Sequence, residues 1–106
     1  MIPSQMLKGV LEGCILAIIQ EKETYGYEIT TRLSDYGFGT VAEGTIYPIL
    51  LRLEKGGSIA AVMKNSPSGP KRKYYHLTEL GNSGLEEFRK NWRSISTAVD
   101  SVLKEV

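Results

Sequence analysis

Two clusters in this chain have the side-chain types and spacing to hold a phosphate. The first is Thr45, Tyr47 and Pro48 in the run Gly44-Thr-Ile-Tyr-Pro48, with two hydroxyls placed where a short helix opens. Free backbone N–H groups and the positive end of the helix dipole favour an anion at such a position. The second is Lys71, Arg72 and Lys73, joined by Lys64 in a stretch from 58 to 77 that contains no acidic residue. Catalysis has no comparable cluster. His76 is the single histidine, it lies among tyrosines, and no Cys, Asp or Ser stands at a spacing that makes a triad or a metal site. Neither an enzyme nor a metal or cofactor site is expected.

The elements that must position these side chains follow from hydrophobic spacing. Ile46, Ile49, Leu50 and Leu53 fall at i, i+3, i+4 and i+7, so the segment from Gly44 to Lys55 is a helix with one core face, stopped by Gly56 and Gly57. Before it, Ser4 can cap a helix running to about Gln20. Its apolar residues cover most of its circumference, which predicts burial on most sides. Gly9 and Gly13 weaken that helix, and either admit a close neighbour or are simply tolerated. Thr24 can cap a second helix through Tyr36, with Ile29, Leu33 and Tyr36 turned inward, and Gly37 to Gly39 breaks it.

After the third helix, Ser58 to Lys64 and Lys71 to Leu77 are β-prone runs joined by a loop with two prolines, which predicts a hairpin. From Thr78 a helix runs to the C-terminus. Leu85, Phe88, Trp92, Ile95, Val99, Val102 and Val106 repeat at alternating spacings of 3 and 4, a heptad seam that seeks another helix. Gly81 and Gly84 are expected to make its junction with the hairpin pliable.

Composition sets bounds on partners and compartment. A chain of 106 residues is one domain of modest core, and its net charge is +1. The charge is unevenly spread: residues 1 to 40 hold five acids against three bases, whereas the hairpin is purely basic. Cys14 is the single cysteine, which excludes an internal disulfide. In the apolar run Val10 to Ile19 it reads as a small hydrophobe, as in a reducing, cytoplasmic compartment. The N-terminus lacks the pattern of a signal peptide, and the apolar run is about half a membrane span, so no membrane partner is expected.

Three short helices followed by a hairpin predict a mainly α fold with a small β-hairpin. The arrangement is a winged helix-turn-helix over residues 1–77, followed by a long C-terminal dimerisation helix over 78–106. The third helix then enters a major groove of double-stranded DNA, with the basic wing beside it. The motifs Tyr25-Gly-Tyr-Glu-Ile29, Gly44-Thr-Ile-Tyr-Pro48, Leu50 with Arg52-Leu-Glu54, Gly57, and Lys71 to Leu77 followed by Thr78 and Gly81 resemble those of the PadR family, in that family's order. They cover about residues 7 to 81. The closing helix resembles the single dimerisation helix of the family's shorter members, some of which are multidrug-sensing repressors. The resemblance implies a homodimeric repressor on a pseudo-palindromic operator, released by a small aromatic effector. Repression and the effector rest on the resemblance alone. A winged-helix module that binds a protein and has no operator is the alternative reading, and the acid-free wing favours DNA.

Candidate DNA contacts are thus Thr45, Tyr47, Lys71, Arg72, Lys73, Tyr25 and Lys64. Tyr47 has a second reading as packing between helix and wing, Thr45 as a local backbone bond, and the lysines as a solvated face. Strand alternation points Lys73 away from Arg72. Arg52 and Glu54 lie too far from the helix start for base contact and are expected in structural ion pairs. The seam from Leu85 to Val106 is the candidate dimer interface. Phe88, Trp92, Ile95, Leu7 and Leu11 are candidates to line an effector cavity there, with a filled, ligand-free interface as the other reading. The expected ligand is a flat aromatic; Ser96 stands one turn beyond Trp92 where a carboxylate would favour a cation, and the nearest acid further along is Asp100, so the sequence does not support a preference for cationic ligands.

Overall fold

The computed structural model describes residues 2–104. Helices α1 (Ser4–Leu7), α2 (Leu11–Glu21), α3 (Gly26–Leu33) and α4 (Glu43–Lys55) precede strands β2 (Ile59–Lys64) and β3 (Arg72–Leu77), and helix α5 (Glu79–Leu103) closes the chain. A two-residue strand β1 (Thr24–Tyr25) pairs antiparallel with β3, so the sheet order is β1-β3-β2. This is the winged helix-turn-helix expected from the spacing, with an added strand.

Helix α2 is the centre of the core. Leu11, Ile15, Leu16, Ile18 and Ile19 are all buried, around most of its circumference, and Ile29, Leu33, Ile46, Leu50, Leu53, Ile59 and Leu85 close on them. The first helix is not continuous from Ser4 to Gln20: the backbone breaks at residues 8–10, between α1 and α2. The two glycines there separate cleanly. Nothing surrounds Gly9, whereas a Cβ on Gly13 would overlap the ring of Phe88, so Gly13 is what lets α5 lie against α2.

The second helix begins one residue later than expected, with Tyr25 as its N-cap. Thr24 does not cap it; it is fully buried in β1, opposite Tyr75, and its hydroxyl donates to Glu28 Oε1 at 2.5 Å. At the far end, α3 passes into a π-helical turn over Ser34–Phe38 that Gly37 closes at φ 109°. The wider turn swings Tyr36 outward, contrary to the inward position expected. Its hydroxyl donates instead to Glu21, which also pairs with Arg32. That hydrogen bond lowers the Glu21 carboxyl below its ordinary value and raises the Tyr36 phenol above its own.

The wing and α5 meet at a tight joint. Thr78 is the N-cap of α5, accepting from the Gly81 N–H at 3.1 Å while its hydroxyl donates to the Gly57 carbonyl at 2.6 Å. A Cβ on Gly81 would collide with the Ser58 carbonyl. Gly81 therefore serves close packing of backbone against backbone at this junction.

Candidate nucleic-acid interface

Helix α4 turns Ile46, Leu50 and Leu53 into the core and leaves Gly44, Pro48, Leu51 and Lys55 on the opposite side. Its N-cap, Ala42, supplies no side-chain bond, and Glu43 already occupies the first turn as an acid. An anion at the helix start therefore meets both the open N–H donors and a carboxylate. Alongside lies a groove of about 560 Å³ between the start of α3, helix α4 and the wing.

Tyrosines and bases build that groove. Tyr25 ends β1 and precedes α3; its ring meets Tyr74 edge-on at 5.2 Å and carries the Arg72 guanidinium at 4.4 Å. Tyr47 reaches it from α4, 47% exposed, with its ring on the bare backbone of Gly26, where a Cβ would lie 2.8 Å from the ring. The ring thus packs α4 against the start of α3 rather than against the wing alone, and its hydroxyl stays at the groove edge. Tyr27, Leu51, the Glu54 carboxylate and the buried Tyr75 complete the lining, and of these the exposed Tyr27 and Leu51 are not among the expected contacts. Tyr27 was visible in the Tyr-Gly-Tyr motif; Leu51 was hidden among four consecutive apolar residues.

The basic residues are not equivalent. Lys73 donates to Glu54 at 2.7 Å, and Lys64 pairs with Glu23. The Glu54 hydrogen bond holds the Lys73 ammonium above its ordinary pKa. Among the described residues no acid pairs with Lys71 or Arg72, and Arg72 reaches Ser68 Oγ at 3.4 Å. Two of the four wing bases are thus already neutralised by carboxylates of the same chain. Arg52 and Glu54 are both in ion pairs, as expected, though with distant partners: Arg52 with Glu12 at 2.9 Å and Glu54 with Lys73.

Thr45 lies apart from this groove. It is exposed on the other flank of α4, roughly 200° around the helix from Tyr47, in a separate hollow of about 790 Å³ beside Ala42, Arg52 and the N-terminal arm. Its hydroxyl makes no hydrogen bond among the described residues, so the local backbone bond weighed for it is not formed.

The heptad seam divides at Phe88. Leu85 is 1% exposed inside its own chain, so it belongs to the core and not to a surface for a second copy. Phe88 is half-buried against Gly13, and Trp92, Ile95, Val99 and Val102 are exposed along α5. Val106 lies outside the described residues. Beside Trp92 is an apolar hollow of about 490 Å³ lined by Met6, Leu7, Val10, Cys14, Phe38 and Phe88. Leu7, Phe88 and Trp92 are together there, as anticipated. Leu11 is sealed in the core, and Ile95 lies beyond the hollow. Burial raises the Cys14 thiol above its ordinary pKa.

Residues 15–87 match the transcriptional regulator PadR-like family. The chain belongs to that family. A PadR-like transcriptional regulator from Bacillus cereus is 54% identical in its crystal structure, superposes with a TM-score of 0.85, and is matched over 96% of this chain and 99% of that one. A transcriptional regulator of Mycobacterium tuberculosis is 32% identical over 80% of this chain and 78% of its own length. The Bacillus subtilis PadR solved with operator DNA is 28% identical with a TM-score of 0.68, over 74% of this chain and 45% of that chain. The PadR-like assignment makes the protein a transcription regulator rather than an enzyme. No helix among the described residues is long and apolar enough to cross a membrane.

Proposed function

We propose that this PadR-like regulator binds operator DNA as a homodimer and represses transcription until a flat, uncharged aromatic molecule enters the hollow beside Trp92. Residues 1–77 hold the DNA and 78–106 join the two copies. The carrying observation is the row Trp92, Ile95, Val99 and Val102, apolar and exposed on a helix whose first turns alone are used by its own domain. A second helix covers such a row at knob-into-hole spacing, and a twofold axis then sets two copies of α4 about one turn of DNA apart. Tyr25, Tyr47, Lys71 and Arg72 meet phosphates of the backbone, with Thr45 on the other flank of α4 and with Lys64 and Lys73 contributing only if released from Glu23 and Glu54.

The hollow supports the effector reading because none of the residues that line it is charged and three of them are aromatic: Phe38, Phe88 and Trp92. Its place beside the seam lets an occupant alter how two copies of α5 meet. The testing experiment titrates a fluorescent duplex, selected from a random pool, with protein in the presence and absence of flat aromatic compounds, while sedimentation records the mass. A dimer that releases DNA as Trp92 emission is quenched is expected. A monomer at micromolar concentration, or quenching that leaves DNA binding unchanged, overturns respectively the dimer and the release.

A further inference from the structure

We infer that Leu51 is a specificity-determining residue that reads the C5-methyl group of thymine; the inference rests on α4 lying in the major groove. The strip of α4 directly opposite its core face, Gly44, Pro48, Leu51 and Lys55, is poor in polar groups, with Thr45 and Arg52 flanking it on one side and Tyr47 and Glu54 on the other. Gly44 has open space where a Cβ would stand, Pro48 has neither a donor nor a polar side chain, and the first charge centred on that strip is Lys55, at the end of the helix. Between them Leu51 is 52% exposed, while its neighbours Leu50 and Leu53 fill the core. The core has no use for a leucine at this position, and the surrounding groove is otherwise lined by tyrosines, Lys71, Arg72 and the Glu54–Lys73 pair.

Base edges in the major groove differ in their donors and acceptors, and only thymine adds an apolar group. A bare leucine gains nothing from guanine, cytosine or adenine edges, whose polar atoms it would desolvate without replacing a hydrogen bond. Against a thymine methyl it removes two apolar surfaces from water at once. The rim carries the point further. Leu51 lines the same groove as Tyr25, Tyr47 and Arg72, so side chains suited to the backbone stand beside it. Backbone contacts thus set the register, and Leu51 selects the base that sits beside it.

The test replaces, one at a time, each thymidine in a half-site selected by the wild-type protein with deoxyuridine, which keeps base pairing and removes only the methyl group. Affinity for each duplex is measured for wild type and for Leu51→Ala, whose side chain is exposed and whose fold is checked by thermal melting. One thymine per half-site is expected at which uracil weakens the wild type about fourfold, the worth of one buried methyl, and leaves Leu51→Ala unaffected. Uracil effects that are equal in the two proteins, or absent in both, overturn the role of Leu51 while leaving DNA binding intact. Failure to select any duplex overturns the placement of α4 and the inference with it.

Discussion

The Arg72 guanidinium lies 4.4 Å from the centre of the Tyr25 ring, so the wing's one arginine is held by the residue that opens α3. A guanidinium stacked on an aromatic face is pre-positioned and keeps its N–H fork free at the edge. Arg72→Ala is expected to weaken operator binding about tenfold, ~1.4 kcal/mol, and to reduce the salt slope by about one counterion per protomer. Tyr25→Phe keeps the stacking face and should be much milder than Tyr25→Ala. Fluorescence anisotropy across a salt series checks this; equal losses in both tyrosine variants would show that the ring does not place Arg72.

The wing lysines should separate by their partners. Lys71 is free of acids among the described residues, while Lys73 is bonded to Glu54 and Lys64 to Glu23. Lys71→Ala is expected to lower the salt slope of DNA binding, with Lys73→Ala and Lys64→Ala changing it less. Glu54→Gln should then strengthen binding, because it releases an ammonium toward phosphate. Identical slopes for all three lysine variants would mean that the carboxylates surrender these bases when DNA arrives.

What was legible in the sequence was what local period controls. The core stripe of α4 and the Ile59–Lys64 and Arg72–Leu77 strands follow from spacings within one element, and so does the seam of α5. Long-range choices were not legible. Thr24 and Tyr25 carry no period in two residues, and only pairing with Tyr75 and Tyr74 makes them a strand. Leu85 fits the heptad as well as Val99 does, and spacing cannot tell that the chain's own α2 covers one and leaves the other bare. The charged partners were invisible for the same reason: Glu12 meets Arg52 across 40 residues. At the site, Tyr47 and the basic wing share one groove, while the separation of Thr45 from that groove needs the helix in three dimensions.

Glycine substitutions should move stability in opposite directions. Gly9 has open surroundings and no positive φ, so Gly9→Ala is expected to be neutral or to stabilise by up to ~1 kcal/mol through the unfolded chain. Gly81 abuts the backbone carbonyl of Ser58, which cannot rotate away as a side chain can. Gly81→Ala should therefore cost roughly 1–3 kcal/mol, the range of overpacked sites. Thermal melting of the two variants beside wild type decides it. A Gly81→Ala protein as stable as wild type would show that the joint between wing and α5 yields.

The thiol of Cys14 reports on the hollow from inside. Burial disfavours the thiolate, so its pKa is raised in the folded protein and returns to the ordinary value when the chain unfolds. A disulfide reagent is thus expected to react more slowly with native protein than with urea-unfolded protein at pH 7, both because less thiolate is present and because access is reduced. As pH rises the native rate should climb later than the unfolded one, since the group with the higher pKa ionises at the higher pH. An aromatic compound seated between Phe88 and Trp92 covers the same wall and should slow the native reaction further, without affecting the unfolded chain. Superimposable native and unfolded pH profiles would place Cys14 in water, and protection by the compound in both states would mean that it acts on the reagent and not in the hollow.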